Sequence, residues 1–285
     1  MKPADPAPRV SKGYIATSRG DLHFRQCGDG KPLILLHLLA QASTMYEPVL
    51  PLFARQGFKA IAVDLMGYGR SDKRTGHWMV EDFADNVLDA LEQIGVVPEY
   101  LVGGHFTAMI AAEMALRRPH CVRAMVLDGV PAWDADLRSR LQATNSAPAV
   151  TWDANGDVAR QQWTTMLQHA QRLDPRADVV TANEPALLDI YIGSLAMTAM
   201  PGTAEAFFAY PLIDRLARIA APVLVLGSPT DTLRPWHDAA VAQLPDVRTH
   251  MFDDVHPLYR ISPDTDRRGY AEALCRFFST VGDQK

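Results

Sequence analysis

Cysteine is scarce in this sequence. Cys27, Cys121 and Cys275 stand far apart, are odd in number and form no C-x-x-C pair. A disulfide framework is therefore not expected, and three scattered thiols suit a reducing cytoplasm as small, mostly apolar side chains. Positive charge is not in excess: 28 Lys and Arg face 33 Asp and Glu, for a net charge of −5. No basic field exists to hold nucleic acid, so a nucleic-acid partner is not expected. Long apolar runs are missing too. Stretches such as 32–36 and 222–227 are far too short to cross a bilayer, and the Pro-rich start MKPADPAPRV has no apolar segment of the kind a secretory signal carries. Internal repeats and low-complexity tracts are absent beyond that start. The expected protein is cytoplasmic, with a flexible arm over 1–12, no membrane partner and a small molecule as its partner.

What is present is ordinary globular composition, 48% hydrophobic and 21% charged, arranged as alternating strand-like and helix-like segments. Residues 13–17 and 21–26 read as a hairpin around Arg19-Gly20, and PLILLH (32–37) reads as a strand buried on both faces. A helical pattern over 45–55 stops at Gly57, and KAIAV (59–63) is the next buried strand. Residues 79–94 put Val80, Phe83, Val87, Leu88 and Leu91 on one helix face and end at Gly95. A strand at 100–103, a helix at 106–118 before Pro119 and a strand at 122–128 follow. Repeated β-α-β of this kind predicts a mostly parallel sheet covered by helices on both faces. The pattern then breaks. Residues 132–212 hold helical stretches near 158–173, 185–198 and 203–210 and no convincing strand. The alternation resumes with a strand at 222–227, a helix near 236–244, a strand at 247–252 and a helix near 266–279. A helical insertion late in such a sheet reads as a lid over the strand ends. The expected division is a core of 13–131 and 213–285 with the lid, 132–212, inserted.

Ligands of open parallel sheets sit beyond the carboxyl ends of the strands, so the residues after each strand carry the chemistry. They are HLLAQAST (37–44), DLMGYGRSDK (64–73), the run GGHFTAMIAAEMALRRP (103–119), SPTD ending at Asp231, and DDVHP with His256. From about residue 13 onward the chain resembles the α/β-hydrolase fold family. DLMGYGRSDK resembles its D-x-x-G-x-G-x-S segment, APVLVLGSPTD (221–231) its strand-plus-acid segment, and the 103–119 run its nucleophile elbow and helix. The resemblance implies an eight-stranded α/β-hydrolase fold with a helical lid, an elbow residue at 105, an acid at Asp231 and a histidine at His256. It also implies oxyanion amides on Leu39 and Phe106, and a structural role for Asp64 and Ser71. Asp128, at the end of the strand after the elbow helix, is the second-choice acid, with a turn residue before Gly129 as the plainer role.

The departures define the site. The elbow reads Gly103-Gly104-His105-Phe106-Thr107, so histidine stands where the family carries serine and threonine where it carries glycine. The loop after the first buried strand reads His37-Leu38-Leu39, without the usual glycine. Imidazole titrates near neutral pH and needs no activation to accept a proton. One expectation is a relay Asp231–His256–His105, with His105 touching His256 and acting as general acid or base in hydrolysis or in a lyase, isomerase or cyclase step. A second is His105 as a covalent nucleophile. A third is a non-catalytic receptor on the same fold. A zinc site of His37, His105, His256 and Asp231 has suitable residue types, but the resemblance puts His37 under its loop, so no metal and no cofactor are expected. Leu38, Trp163, Tyr191 and Trp236 are the expected pocket wall around a small, largely apolar substrate. His23, His77, His120, His169, His237 and His250 have no partner at telling spacing and are expected on the surface or in loops.

Overall fold

The computed structural model describes residues 8–145, 153–173, 188, 190–195, 202–254, 256–258 and 267–282. Eight strands form one sheet in the order β1-β2-β4-β3-β5-β6-β7-β8. They are β1 (Ser11–Thr17), β2 (Gly20–Cys27), β3 (Lys31–Leu36), β4 (Phe58–Val63), β5 (Tyr100–Gly104), β6 (Ala124–Asp128), β7 (Val223–Gly227) and β8 (Val247–Met251). The β1–β2 and β2–β4 pairs are antiparallel and every other pair is parallel. The inner parallel strands, β3 to β7, are largely apolar because both their faces are covered, whereas the edge strand β8 is polar and partly exposed. Ile34 and Leu36, Ile61 and Val63, Met125 and Leu127, and Val223 and Val225 join the core on one side. Leu33 and Leu35, Ala60 and Ala62, Ala124 and Val126, and Leu224 and Leu226 join the core on the other. This is period-two alternation with both faces dry.

The helices named here are α1 (Leu50–Arg55), α2 (Val80–Gln93), α3 (Phe106–Arg117), α4 (Ala135–Asn145), α5 (Asp157–Leu173), α6 (Thr203–Ala209), α7 (Leu212–Leu216), α8 (His237–Gln243) and α9 (Arg268–Gly282). Every residue of α3 from Phe106 to Ala115 is buried, as expected of a helix that is apolar all round. It starts directly from the end of β5, which makes the turn between them a fixed point of the core.

The first and last helical stretches expected between β6 and β7 are found as α5 and α6; of the middle one, residues 188 and 190–195 are helical and the others lie outside the described residues. No described residue between β6 and β7 is in a strand. Two helices were not anticipated: α4, whose polar sequence has little periodicity, and the short α7. The helix expected over 45–55 splits into a 3-10 turn at Ser43–Tyr46 and α1, with Pro51 in the first turn of α1. Ser11 and Lys12, expected in the arm, already pair with Gln26 and Arg25.

Candidate active site at the carboxyl ends of the strands

Six strand ends deliver six polar side chains: His37 after β3, Asp64 after β4, His105 after β5, Asp128 closing β6, Asp231 after β7 and His256 after β8. Two of them are structural. His37 is fully buried, the N–H of Leu65 donates to its Nε2 at 3.0 Å, and its Nδ1 lies 2.8 Å from the Leu38 carbonyl. A neutral ring with the proton on Nδ1 satisfies both contacts. Burial lowers its pKa, against the attraction of Asp64. With both nitrogens committed to the main chain, His37 is not a metal ligand, and no group of His, Cys, Asp or Glu able to hold a metal occurs among the described residues. Asp64 receives the N–H groups of Ser43 and Arg70 and lies 2.8 Å from His23. Burial raises its pKa, but His23, His37 and the two amides outweigh that and hold it well below the usual carboxylate range. A Cβ on Gly69 would fall 2.3 Å from this carboxylate, which explains the second glycine of the motif. Ser71 donates to the Asp64 carbonyl and receives the His23 N–H.

His105 occupies the turn from β5 to α3 with φ 52° and ψ −116°, a backbone state that side chains other than glycine rarely adopt. Its N–H donates to the carbonyls of Asp128 and Gly129, at 2.9 and 3.1 Å. Thr107 helps to fix the turn. Its hydroxyl accepts the Gly104 N–H at 2.9 Å and lies within 3.0 and 3.1 Å of the carbonyls of Gly104 and Leu36. The hydroxyl thus ties the end of β5 to the end of β3. Gly103 is needed where it stands, because a Cβ there would meet the Thr107 carbonyl at 2.2 Å. Leu38 is buried, and its Cδ2 lies over Gly104.

The structure overturns the expected relay. His105 Nε2 lies 3.1 Å from Asp231 Oδ1, and His256 Nε2 lies 3.0 Å from Asp128 Oδ2. The acid and the histidine that the resemblance pairs are therefore divided between two Asp–His pairs. The cause is size: an imidazole at the elbow reaches the Asp231 carboxylate itself. His256 sits instead on Asp128, which is more than a turn residue. The Leu258 N–H donates to His256 Nδ1 at 3.2 Å, so a neutral His256 carries its proton on Nε2, the nitrogen that faces Asp128. The ring is fully buried between Phe252 and Tyr270, with centroids 4.7 and 5.5 Å away.

The His105 ring is oriented by what it rests on. A Cβ on Gly129, a residue with φ 65°, would fall 2.6 Å from His105 Cδ2, 2.7 Å from Nε2 and 2.6 Å from Asp231 Oδ2. The Cδ2–Nε2 edge therefore lies over Gly129, and the Nδ1–Cε1 edge faces away from it. Asp231 is buried, which raises its pKa, but the bond and charge of His105 and the Leu233 N–H at 2.7 Å outweigh burial and lower it. An ionised Asp231 fixes the proton of a neutral His105 on Nε2, which makes Nδ1 the basic nitrogen. The His105 side chain is 21% exposed, enough for a reactant to reach it.

Of the expected pocket residues, Trp163 and Tyr191 pack on each other at 5.1 Å, edge to face, and the Tyr191 hydroxyl donates to the Ala159 carbonyl. They join two helices of the insertion. Trp236 is half-buried and packs on Trp133 at 6.0 Å. Trp133, five residues beyond β6, is the aromatic that sequence reasoning missed; its only signal was position after a strand end. The surface expectation fails for two histidines: His23 is buried on Asp64, and His237 is buried near Asp231, which draws on its charge while burial lowers its pKa.

The model of the alpha/beta hydrolase fold matches residues 31–256. Haloalkane dehalogenase 2 of Mycobacterium bovis is 26% identical over 230 residues, 80% of this chain and 78% of that one. The solved structure of the N-acyl homoserine lactonase AidH has a TM-score of 0.73 at 18% identity, covering 97% of this chain and 99% of that one. Carboxylesterase CesB of Bacillus subtilis has a TM-score of 0.71 at 18% identity, covering 95% and 92%.

Proposed function

Because the chain belongs to the alpha/beta hydrolase fold family, we propose that it is a hydrolase-type enzyme in which His105, held by Asp231, is the general base. The observation that carries this reading is the 3.1 Å contact between His105 Nε2 and a buried Asp231 whose carboxyl stays ionised. Nδ1 takes a proton from water, the resulting hydroxide attacks an electrophilic carbon, and the imidazolium returns the proton to the leaving group. The amides of Leu39 and Phe106 are the proposed donors to a developing oxyanion. His256 and Asp128 support the site from behind, because the His256 lone pair is already taken by the Leu258 N–H.

A base is favoured over a covalent nucleophile on space. An acyl group on Nδ1 would crowd the main chain of the elbow, whereas a proton makes no such demand. The helices between β6 and β7 are read as a lid, with the substrate between lid and sheet. By their names, the relatives act on an organic halide, a lactone and an ester. A small organic electrophile is the class common to them and the one proposed for this chain.

The test is a panel of esters, lactones and epoxides, run on wild type, His105→Ala and His105→Ser. Turnover of at least one class by wild type, lost in His105→Ala, is expected. Wild type inert throughout while His105→Ser gains esterase activity would mean that histidine disarms the site, and the reading would fall. Mass spectrometry of quenched reactions separates the two chemistries: a substrate-sized adduct on His105 would replace base by nucleophile.

A further inference from the structure

Trp133 poses a question the proton chemistry does not use. It is 4% exposed, and its indole Nε1 has no hydrogen-bond partner among the described residues. A buried tryptophan N–H normally finds an acceptor, and leaving one unmade costs about 1–3 kcal/mol. Such a donor in a native structure calls for an explanation, and an acceptor brought by a bound molecule supplies one.

The surroundings say what that could be. The Trp133 ring stacks on Phe208 at 5.2 Å and 25°, meets Phe207 edge-on at 5.0 Å and Trp236 at 6.0 Å. Phe207, Phe208 and Trp236 are only half-buried, so each keeps some aromatic surface open. Phe207 also meets Phe106, the residue after His105, at 5.8 Å. The cluster therefore begins at the elbow and runs outward as a set of five aromatic rings, and Trp133 brings to it a buried donor. Such a wall suits a neutral, flat molecule, and the buried indole donor of Trp133 suits one acceptor oxygen.

We propose that Trp133 is a substrate-binding residue whose indole N–H donates to an oxygen of a neutral, planar aromatic substrate lying against Phe207, Phe208 and Trp236. The word substrate rests on the hydrolase reading above. The binding does not, and the test is built to keep the two apart.

Two non-hydrolysable probes share one skeleton: acetonaphthone carries a carbonyl where ethylnaphthalene carries a methylene. Their Kd values are measured by NMR on protein labelled at its five tryptophan indoles, in wild type and in Trp133→Phe, which keeps a ring and removes the N–H. In wild type, the one indole signal that Trp133→Phe lacks should shift with the ketone and not with the hydrocarbon. The preference for ketone over hydrocarbon should fall about tenfold in Trp133→Phe. An equal preference in both proteins overturns the proposal, and so does failure of both probes to bind wild type. Should Trp133→Phe not fold, the wild-type spectra decide: if no indole signal follows the ketone alone, the proposal is overturned. Neither probe is turned over, so a failed activity screen leaves this result standing.

Discussion

The imidazole of His105 lies with Nε2 3.1 Å from Oδ1 of Asp231, so the residue at the elbow and the acid after β7 are direct partners with no third group between them. The histidine after β8 is turned to the acid that closes β6. Two acids that a triad would treat as alternatives thus have separate duties.

Asp231→Asn should keep the fold and lose the tautomer that leaves Nδ1 basic, lowering kcat/KM by about 10²–10⁴-fold. Asp128→Asn should act on stability first, because it weakens the contact that holds buried His256. Steady-state kinetics and thermal melts of both variants check this; a larger kinetic loss in Asp128→Asn would exchange the roles of the two acids.

Gly129→Ala should damage the site more than its size suggests. The new methyl would fall 2.6 Å from both His105 Cδ2 and Asp231 Oδ2, and alanine at φ 65° costs about 1–2 kcal/mol by itself. Activity should fall steeply with a moderate loss of Tm. A fully active variant would show that the His105–Asp231 contact is not needed.

Thr107→Val removes the hydroxyl that bridges β5 to β3 and orphans the Gly104 N–H, a loss of about 1–3 kcal/mol. Thr107→Ser retains the hydroxyl and should restore most of that stability and the kinetic constants. Denaturant titration and kcat measurements compare the pair; equal behaviour of the two variants would remove the hydroxyl from the argument.

Gly193→Ala tests how the insertion meets the loop after β3. A Cβ there would fall 2.2 Å from the Ala40 carbonyl, and Ala40 already holds φ 62° in a turn closed by the Gln41 N–H to the Leu38 carbonyl. The contact is main chain against main chain, so one side must move. Hydrogen exchange over 37–42 should quicken and kcat/KM should fall more than Tm. Unchanged exchange would mean that the loop keeps its shape without the helix.

Stability should decline on mild acidification. The pKa of buried His37 is depressed, and that of His237 also, in both cases first by burial. A histidine of this kind leaves stability intact above its unfolded value of about 6.5, and stability is lost as pH falls from there towards the folded value, because the unfolded chain takes up the proton first. Denaturation free energies measured from about pH 8 down to about pH 5 should slope accordingly, and a flat profile would contradict the burial of a neutral His37.

The sequence by itself determined the sheet, because short apolar runs such as 32–36, 59–63 and 223–227, alternating with amphipathic helical segments, read as strands dry on both faces. It also determined which residues stand at the strand ends: His105, Asp231, His256 and Asp128 are where the pattern of alternating elements puts them. Chain order does not encode which acid faces which histidine. That depended on the reach of an imidazole set on a strained turn, on a glycine at 129 that leaves room for the ring, and on a backbone N–H from Leu258 that takes the lone pair of His256. Burial of His23 on Asp64, the Thr107 bridge and the unsatisfied indole of Trp133 belong to the same class. Each depends on side chains far apart in sequence meeting at fixed distances, and only the packed structure sets those distances.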